Sequence, residues 1–86
     1  MIKDFSKRIL VEQNFYPEFF FHVLHNASGR GRYHVSASDL NRQNIFFTMV
    51  QNEQGSWKII DAPKPPDWII SIEKHLEDAI IENLDS

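Results

Sequence analysis

The sequence predicts an α+β domain, a four-stranded antiparallel meander with a C-terminal helix packed on one face and a short N-terminal helix, in the order α-β-β-β-β-α. Apolar residues alternate at a period of two between residues 18 and 61, which is typical of strands with one buried face. Short turn-forming segments separate these runs, and sequential strands joined by short links pair as a meander. After residue 67 the apolar period becomes that of an amphipathic helix.

Length and composition limit the kind of protein. The 86 residues are enough for a single domain (1–86) and too few for two. Small secreted domains usually depend on disulfides, and this chain has no cysteine, so we expect a cytoplasmic protein. The first residues show no signal-peptide pattern, and no apolar stretch approaches the ~20 residues that span a bilayer, so we expect no membrane association.

Residues 2–13 are predicted to form the short N-terminal helix. Four apolar residues there share one helical face: Ile2, Phe5, Ile9 and Leu10. Val11 interrupts this pattern, and residues 8–12 also fit a strand, so both alternatives stay open. Pro17 ends the segment, because the residue before a proline avoids the α region.

The four predicted strands cover residues 18–25, 33–39, 45–51 and 57–61. Matching apolar positions pairs Phe21 with Val35, and Val23 with Tyr33. The same matching pairs Val35 with Met49, which in turn pairs with Ile59. This register also places His22 opposite His34 on the second sheet face.

Residues 68–84 are predicted to form the C-terminal helix, with Asp67 as its N-cap. The helix is expected to cover the sheet face that carries the larger apolar residues. The expected core comprises six residues: Phe21, Val35, Phe47, Trp57, Ile72 and Leu76.

A single helix covers only one side of a four-stranded sheet, so the second face needs another cover. This candidate interaction surface comprises Phe20, His22, Leu24, His34, Phe46 and Val50, with Arg30 and Arg32 in the adjoining loop. Monomers rarely expose a large contiguous apolar patch. We therefore expect a homodimer through this face, and the N-terminal helix is the alternative cover.

No motif in the sequence predicts catalysis, a cofactor or a metal. Ser36 lies two residues from His34, but no acid is placed to orient the imidazole as a triad requires. His22 and His34 are two possible zinc ligands, whereas zinc needs three or four protein ligands. The leading functional hypothesis is a small cytoplasmic interaction or adaptor domain without catalytic activity that self-associates.

The alternative hypothesis is a module that binds a small ligand or nucleic acid through the His22/His34 face and the Arg30/Arg32 loop. Arginine and backbone N–H groups in such a loop can hold phosphate. The chain has 9 basic and 12 acidic residues, a net charge of -3, which disfavours a generic nucleic-acid binder.

Overall fold

A computed structural model describes residues 3–24, 31–60 and 64–84 of the chain. Within these ranges the elements are β1 (Phe5–Arg8), β2 (Glu18–Val23), β3 (Arg32–Ser38), β4 (Asn44–Gln51), β5 (Trp57–Ile59), α1 (Asp67–Ile70) and α2 (Glu73–Leu84). The strands form one antiparallel sheet in the order β1-β2-β3-β4-β5. The α+β class, the antiparallel meander and the C-terminal helical segment on one face are therefore confirmed.

The predicted N-terminal helix is wrong, because this segment contains β1, which makes the sheet five-stranded and not four-stranded. Phe5 pairs with Phe21, and Lys7 pairs with Phe19. Phe5 and Ile9 are four residues apart, a spacing that places them on one face of a helix and also on one face of a strand. A tight hairpin follows, in which Asn14 has a φ of 68°, a conformation that asparagine tolerates better than most residues.

The predicted register is correct for β2 with β3 and for β4 with β5, and wrong by two residues for β3 with β4. Val35 pairs with Phe47 rather than with Met49, and Tyr33 pairs with Met49. A shift of two residues keeps every side chain on its face, whereas a shift of one would reverse it. The assignment of residues to the two faces therefore survives the error.

The core lies between the sheet and the two helices. All six residues predicted to form it are buried: Phe21, Val35, Phe47, Trp57, Ile72 and Leu76. Phe5 joins this core from β1, since its ring stacks on Phe21 with centroids 4.4 Å apart. The Tyr33 ring meets Phe5 edge-on at 5.6 Å, and its hydroxyl donates a hydrogen bond to the Lys3 carbonyl.

The predicted C-terminal helix is divided into α1 and α2 at Ser71 and Ile72. The Ser71 hydroxyl donates to the Trp68 carbonyl at 2.8 Å, and such back-bonding by serine disturbs a helix. Asp67 is the first residue of α1 and not its N-cap, because Pro66 holds that position and no side chain caps the helix. In the part of the chain that the structure describes, neither helix is long and apolar enough to cross a membrane.

Candidate interaction surface

The even-numbered residues of the five strands lie on the side of the sheet turned away from α1 and α2, and we call this side the open face. The odd-numbered residues form the covered face, which packs against the helices. No element within the described ranges lies over the open face. It therefore contains the sheet positions that we proposed as an interaction surface.

Two phenylalanines dominate the open face. The register places Phe20, Ser36 and Phe46 in one row across β2, β3 and β4. Phe20 is 52% exposed and Phe46 is 53% exposed, although both stand in the middle of strands. Strands two apart are separated by roughly 10 Å, and the smaller side chain of Ser36 lies in the row between the two phenylalanines.

His34 stacks on Phe46, with ring centroids 5.7 Å apart and planes inclined by 17°. The two residues are diagonal neighbours on β3 and β4, within reach for aromatic side chains. Leu24 and Val50 are only partly exposed. The accessible apolar surface is therefore centred on the Phe20–Ser36–Phe46 row and is narrower than the sequence predicted.

His22 lies opposite His34 in the register, as predicted, but its imidazole has a different partner. Its Nδ1 lies 2.9 Å from Oδ2 of Asp4, and Oδ1 of Asp4 accepts the Val23 N–H at 2.8 Å. The two imidazoles are thus held by different neighbours. Among the described residues, no group of three or more His, Cys, Asp or Glu side chains is placed to hold a metal ion.

Charges at the margins of the open face nearly balance. Arg8, Arg32 and Lys58 are the described strand cations on this side. Glu18 lies opposite Arg8 in the register, and Lys58 lies 3.8 Å from a carboxylate oxygen of Glu73. Arg8 donates to the Tyr16 carbonyl at 3.1 Å. The open face therefore lacks the clustered excess of free cations that phosphate binding uses.

The Arg30/Arg32 loop is described only in part. Arg30 lies outside the described residues, and Arg32 is the exposed first residue of β3. A Cβ on Gly31 would overlap the ring of Trp57, which is 1% exposed. This glycine is therefore required for packing, independently of any contact with phosphate.

Two helix carboxylates that the sequence did not single out bind the sheet. Glu77 is 8% exposed, and its Oε2 accepts the Trp57 N–H at 2.9 Å. One turn earlier, Oε2 of Glu73 accepts the Ile59 N–H at 2.9 Å. Both residues directly follow apolar core positions, Ile72 and Leu76, and that adjacency is the signal in the sequence that they border the sheet.

No family model matches this sequence, and neither a curated protein nor a solved structure matches it. The geometry offers two features for function. One is the open face with its two half-exposed rings, and the other is the pair of edges at which the sheet ends.

Proposed function

We propose that this chain is a small cytoplasmic protein-interaction domain without catalytic activity, which self-associates through the open face. The row formed by Phe20, Ser36 and Phe46 is the observation that carries the proposal. A surface with two half-exposed rings in one row can bury both rings against the same row of a second copy related by a two-fold axis. The absence of cysteine supports the cytoplasmic part of the proposal.

The size of the open face is compatible with a modest dimer interface. Five strands of about five residues cover roughly 20 by 20 Å. Two such faces, with the relief of their side chains, would together bury on the order of 1,000 Å², which is near the lower limit for a specific interface. The aromatic rings lie at the centre and the charges at the margins, as in interfaces with an apolar core and a polar rim.

The alternative cover that the sequence suggested is absent, since the N-terminal segment lies within the sheet as β1. It adds Ser6 and Arg8 to the open face instead of shielding it. This arrangement leaves two half-exposed phenyl rings in the middle of a sheet, where burial by a partner would be favourable.

Binding of a small ligand or nucleic acid through the same face is the second candidate. Exposed aromatic rings can stack on bases, and His34, Phe46 and the exposed Arg32 lie on the same face. The near-balance of charge favours self-association over this candidate. The experiment below distinguishes the two.

The test is the molar mass measured by light scattering over a range of concentrations. We expect a dimer for the native chain and a monomer for Phe46→Glu, because two carboxylates would be buried unpaired at the interface. Leu40→Glu is the matched control: Leu40 is 67% exposed but lies in the β3–β4 turn, and this variant should remain a dimer.

Two outcomes would contradict self-association through the open face. One is a native chain that stays monomeric at high concentration, and the other is a dimer that Phe46→Glu leaves intact. Retention of a monomeric native chain on single-stranded RNA at low salt, lost in Phe46→Glu, would favour the second candidate.

A further inference from the structure

The two edges of the sheet differ in whether their backbone groups have partners. At the β5 edge, the N–H groups of Trp57 and Ile59 point away from β4, and the carboxylates of Glu77 and Glu73 accept them. An added strand would have to displace both carboxylates. This edge is closed in the way that proteins protect sheets against unwanted pairing.

The β1 edge is open. Ile9 donates its N–H to Pro17 on the β2 side, so the alternation of a strand turns the N–H and C=O groups of Ser6 and Arg8 outward. Within the described residues, no hydrogen bond occupies these outward backbone groups. They offer two donors and two acceptors to an additional strand.

A groove runs beside this free edge, between β1 and the last turns of α2. Its volume is about 270 Å³, and it is lined by Phe5, Ser6, Lys7, Ala79, Glu82 and Asn83. Lysine on an edge strand usually discourages pairing, because an incoming strand would bury its charge. Here the ammonium of Lys7 is bound to Oε2 of Glu82 at 2.9 Å, so the pair joins the two elements that line the groove and the charge of Lys7 is compensated.

We propose that the β1 edge and this groove bind an extended segment of another protein as an additional antiparallel strand. Backbone hydrogen bonds to Ser6 and Arg8 would provide the affinity, and alternate side chains would provide the specificity, as in other cases of strand addition. This site is distinct from the open face and does not depend on self-association. It would give the proposed interaction domain a place for a partner.

The chemistry of the edge defines the segment. Side chains opposite Phe5 and Lys7 would enter the groove beside Ala79, so apolar residues fit there. On the other face, Arg8 favours an acidic residue opposite it. Written from its N-terminus, the antiparallel segment is acidic, apolar, small and apolar.

A second copy of β1 matches this description at its acidic, first apolar and small positions, but it would place Lys7 opposite Phe5 on the groove side. Its groove-side residues are Phe5 and Lys7, and both are engaged within their own domain. Phe5 is stacked on Phe21, and Lys7 is paired with Glu82. Neither side chain is free to fill the groove of a neighbour, so the occupant is a segment of a different protein.

The probe is the synthetic peptide acetyl-Thr-Glu-Val-Thr-Val-Lys-Thr-amide, titrated to about 1 mM into the ¹⁵N-labelled full chain, a range that detects weak binding. We expect amide shifts at Ser6, Arg8 and Ala79. N-methylation of the central Thr should weaken binding by about tenfold or more, because that N–H would face Ser6. N-methylation of the first Val, whose N–H would face solvent, is the matched control and should leave binding unchanged.

Two protein variants test the edge from the other side. Ser6→Pro removes an outward N–H that makes no bond in the described chain, and proline is tolerated at such edge positions. We expect it to weaken peptide binding by about tenfold, whereas Ser6→Ala, which keeps the N–H, should bind as the native chain does. Phe46→Glu should also bind the peptide, and this separates the site from the open face.

The proposal would be overturned by the absence of shifts along β1, or by equal sensitivity to the two N-methylated peptides. A native dimer that Ser6→Pro alone converts to a monomer would also overturn it, since a second copy would then occupy the edge.

Discussion

Phe46 and Phe47 are neighbours on β4 with the same side chain and opposite surroundings. Phe47 is 2% exposed and contributes to the core beneath α1 and α2, whereas Phe46 is 53% exposed on the open face. Residue type is therefore no guide to the role of a phenylalanine in this chain. The parity of its position in the strand decides whether it stabilises the domain or is available to a partner.

The comparison extends to the whole sheet. The covered face contains stacked and edge-on aromatic pairs, such as Phe5 with Phe21 and Tyr33 with Phe21. On the open face, the aromatic contact between described residues is that of His34 with Phe46, and it leaves Phe46 half exposed. We therefore expect substitutions on the covered face to affect stability, and those on the open face to affect association.

The largest expected difference is between truncations of these two neighbours. Phe47→Ala should reduce the free energy of unfolding by about 3–5 kcal/mol, because it opens a cavity in the core. Phe46→Ala, measured in dilute solution, should reduce it by less than about 1 kcal/mol, as surface changes do. Urea titration of both variants provides the measurement, and equal losses would show that the two faces are not distinguished as described.

The next effect concerns Gly31, which directly precedes β3 and packs against Trp57 on the covered face. Gly31→Ala should cost about 1–3 kcal/mol, because the new methyl group overlaps the buried Trp57 ring. In a Trp57→Phe background the smaller ring leaves more room, so the same substitution should cost less. A double-mutant cycle by urea titration measures this coupling, and strictly additive losses would exclude the contact.

A smaller loss is expected from the carboxylate that closes the β5 edge. Glu77→Ala should cost about 1–2 kcal/mol, because it leaves the buried Trp57 N–H without its acceptor. Glu82→Ala on the same helix removes an exposed ion pair with Lys7 and should cost at most about 1 kcal/mol. Thermal unfolding of the two variants tests this order. A larger loss for Glu82→Ala than for Glu77→Ala would mean that the hydrogen bond of Glu77 does not stabilise the β5 edge.

The smallest effect is a pH dependence that arises on the covered face. Burial raises the pKa of the Tyr33 hydroxyl above its ordinary value of 10.0. Because the folded state holds this proton more tightly, the stability it contributes is present below pH 10 and is lost as pH rises toward the folded-state pKa. Unfolding free energies measured at increasing alkaline pH should fall more steeply for the native chain than for Tyr33→Phe. Parallel pH profiles would contradict this.

The face of the sheet on which each strand residue lies was predictable from the sequence, but the number of strands was not. Alternating apolar residues identify the covered face, as Phe19, Phe21, Val35 and Phe47 show. This holds even though the predicted register of β3 with β4 was wrong by two residues. β1 was missed because the spacing of Phe5 and Ile9 fits both a helix and a strand. Pairing with β2 is what stabilises the strand. Tertiary contact supplies that information, and the local pattern does not contain it.

The composition of the open face was predictable in the same way. Phe20, His22, His34 and Phe46 were assigned to one surface from alternation alone. The Asp4–His22 contact joins residues 18 positions apart, and it depends on the β1–β2 pairing that the sequence did not reveal. The closed and open edges depend on where α2 lies over the sheet, which strand patterns do not specify.

Dilution of the ¹⁵N-labelled chain, followed by amide chemical shifts, tests most directly whether the open face is the self-association surface. Between about 1 mM and about 10 μM the dimer should dissociate if its affinity is in the micromolar range. We expect shifts in the row formed by Phe20, Ser36 and Phe46, with Leu40 and the helix α2 unchanged. Shifts confined to β1 or α2, or no shift in a chain that is monomeric throughout, would contradict the account.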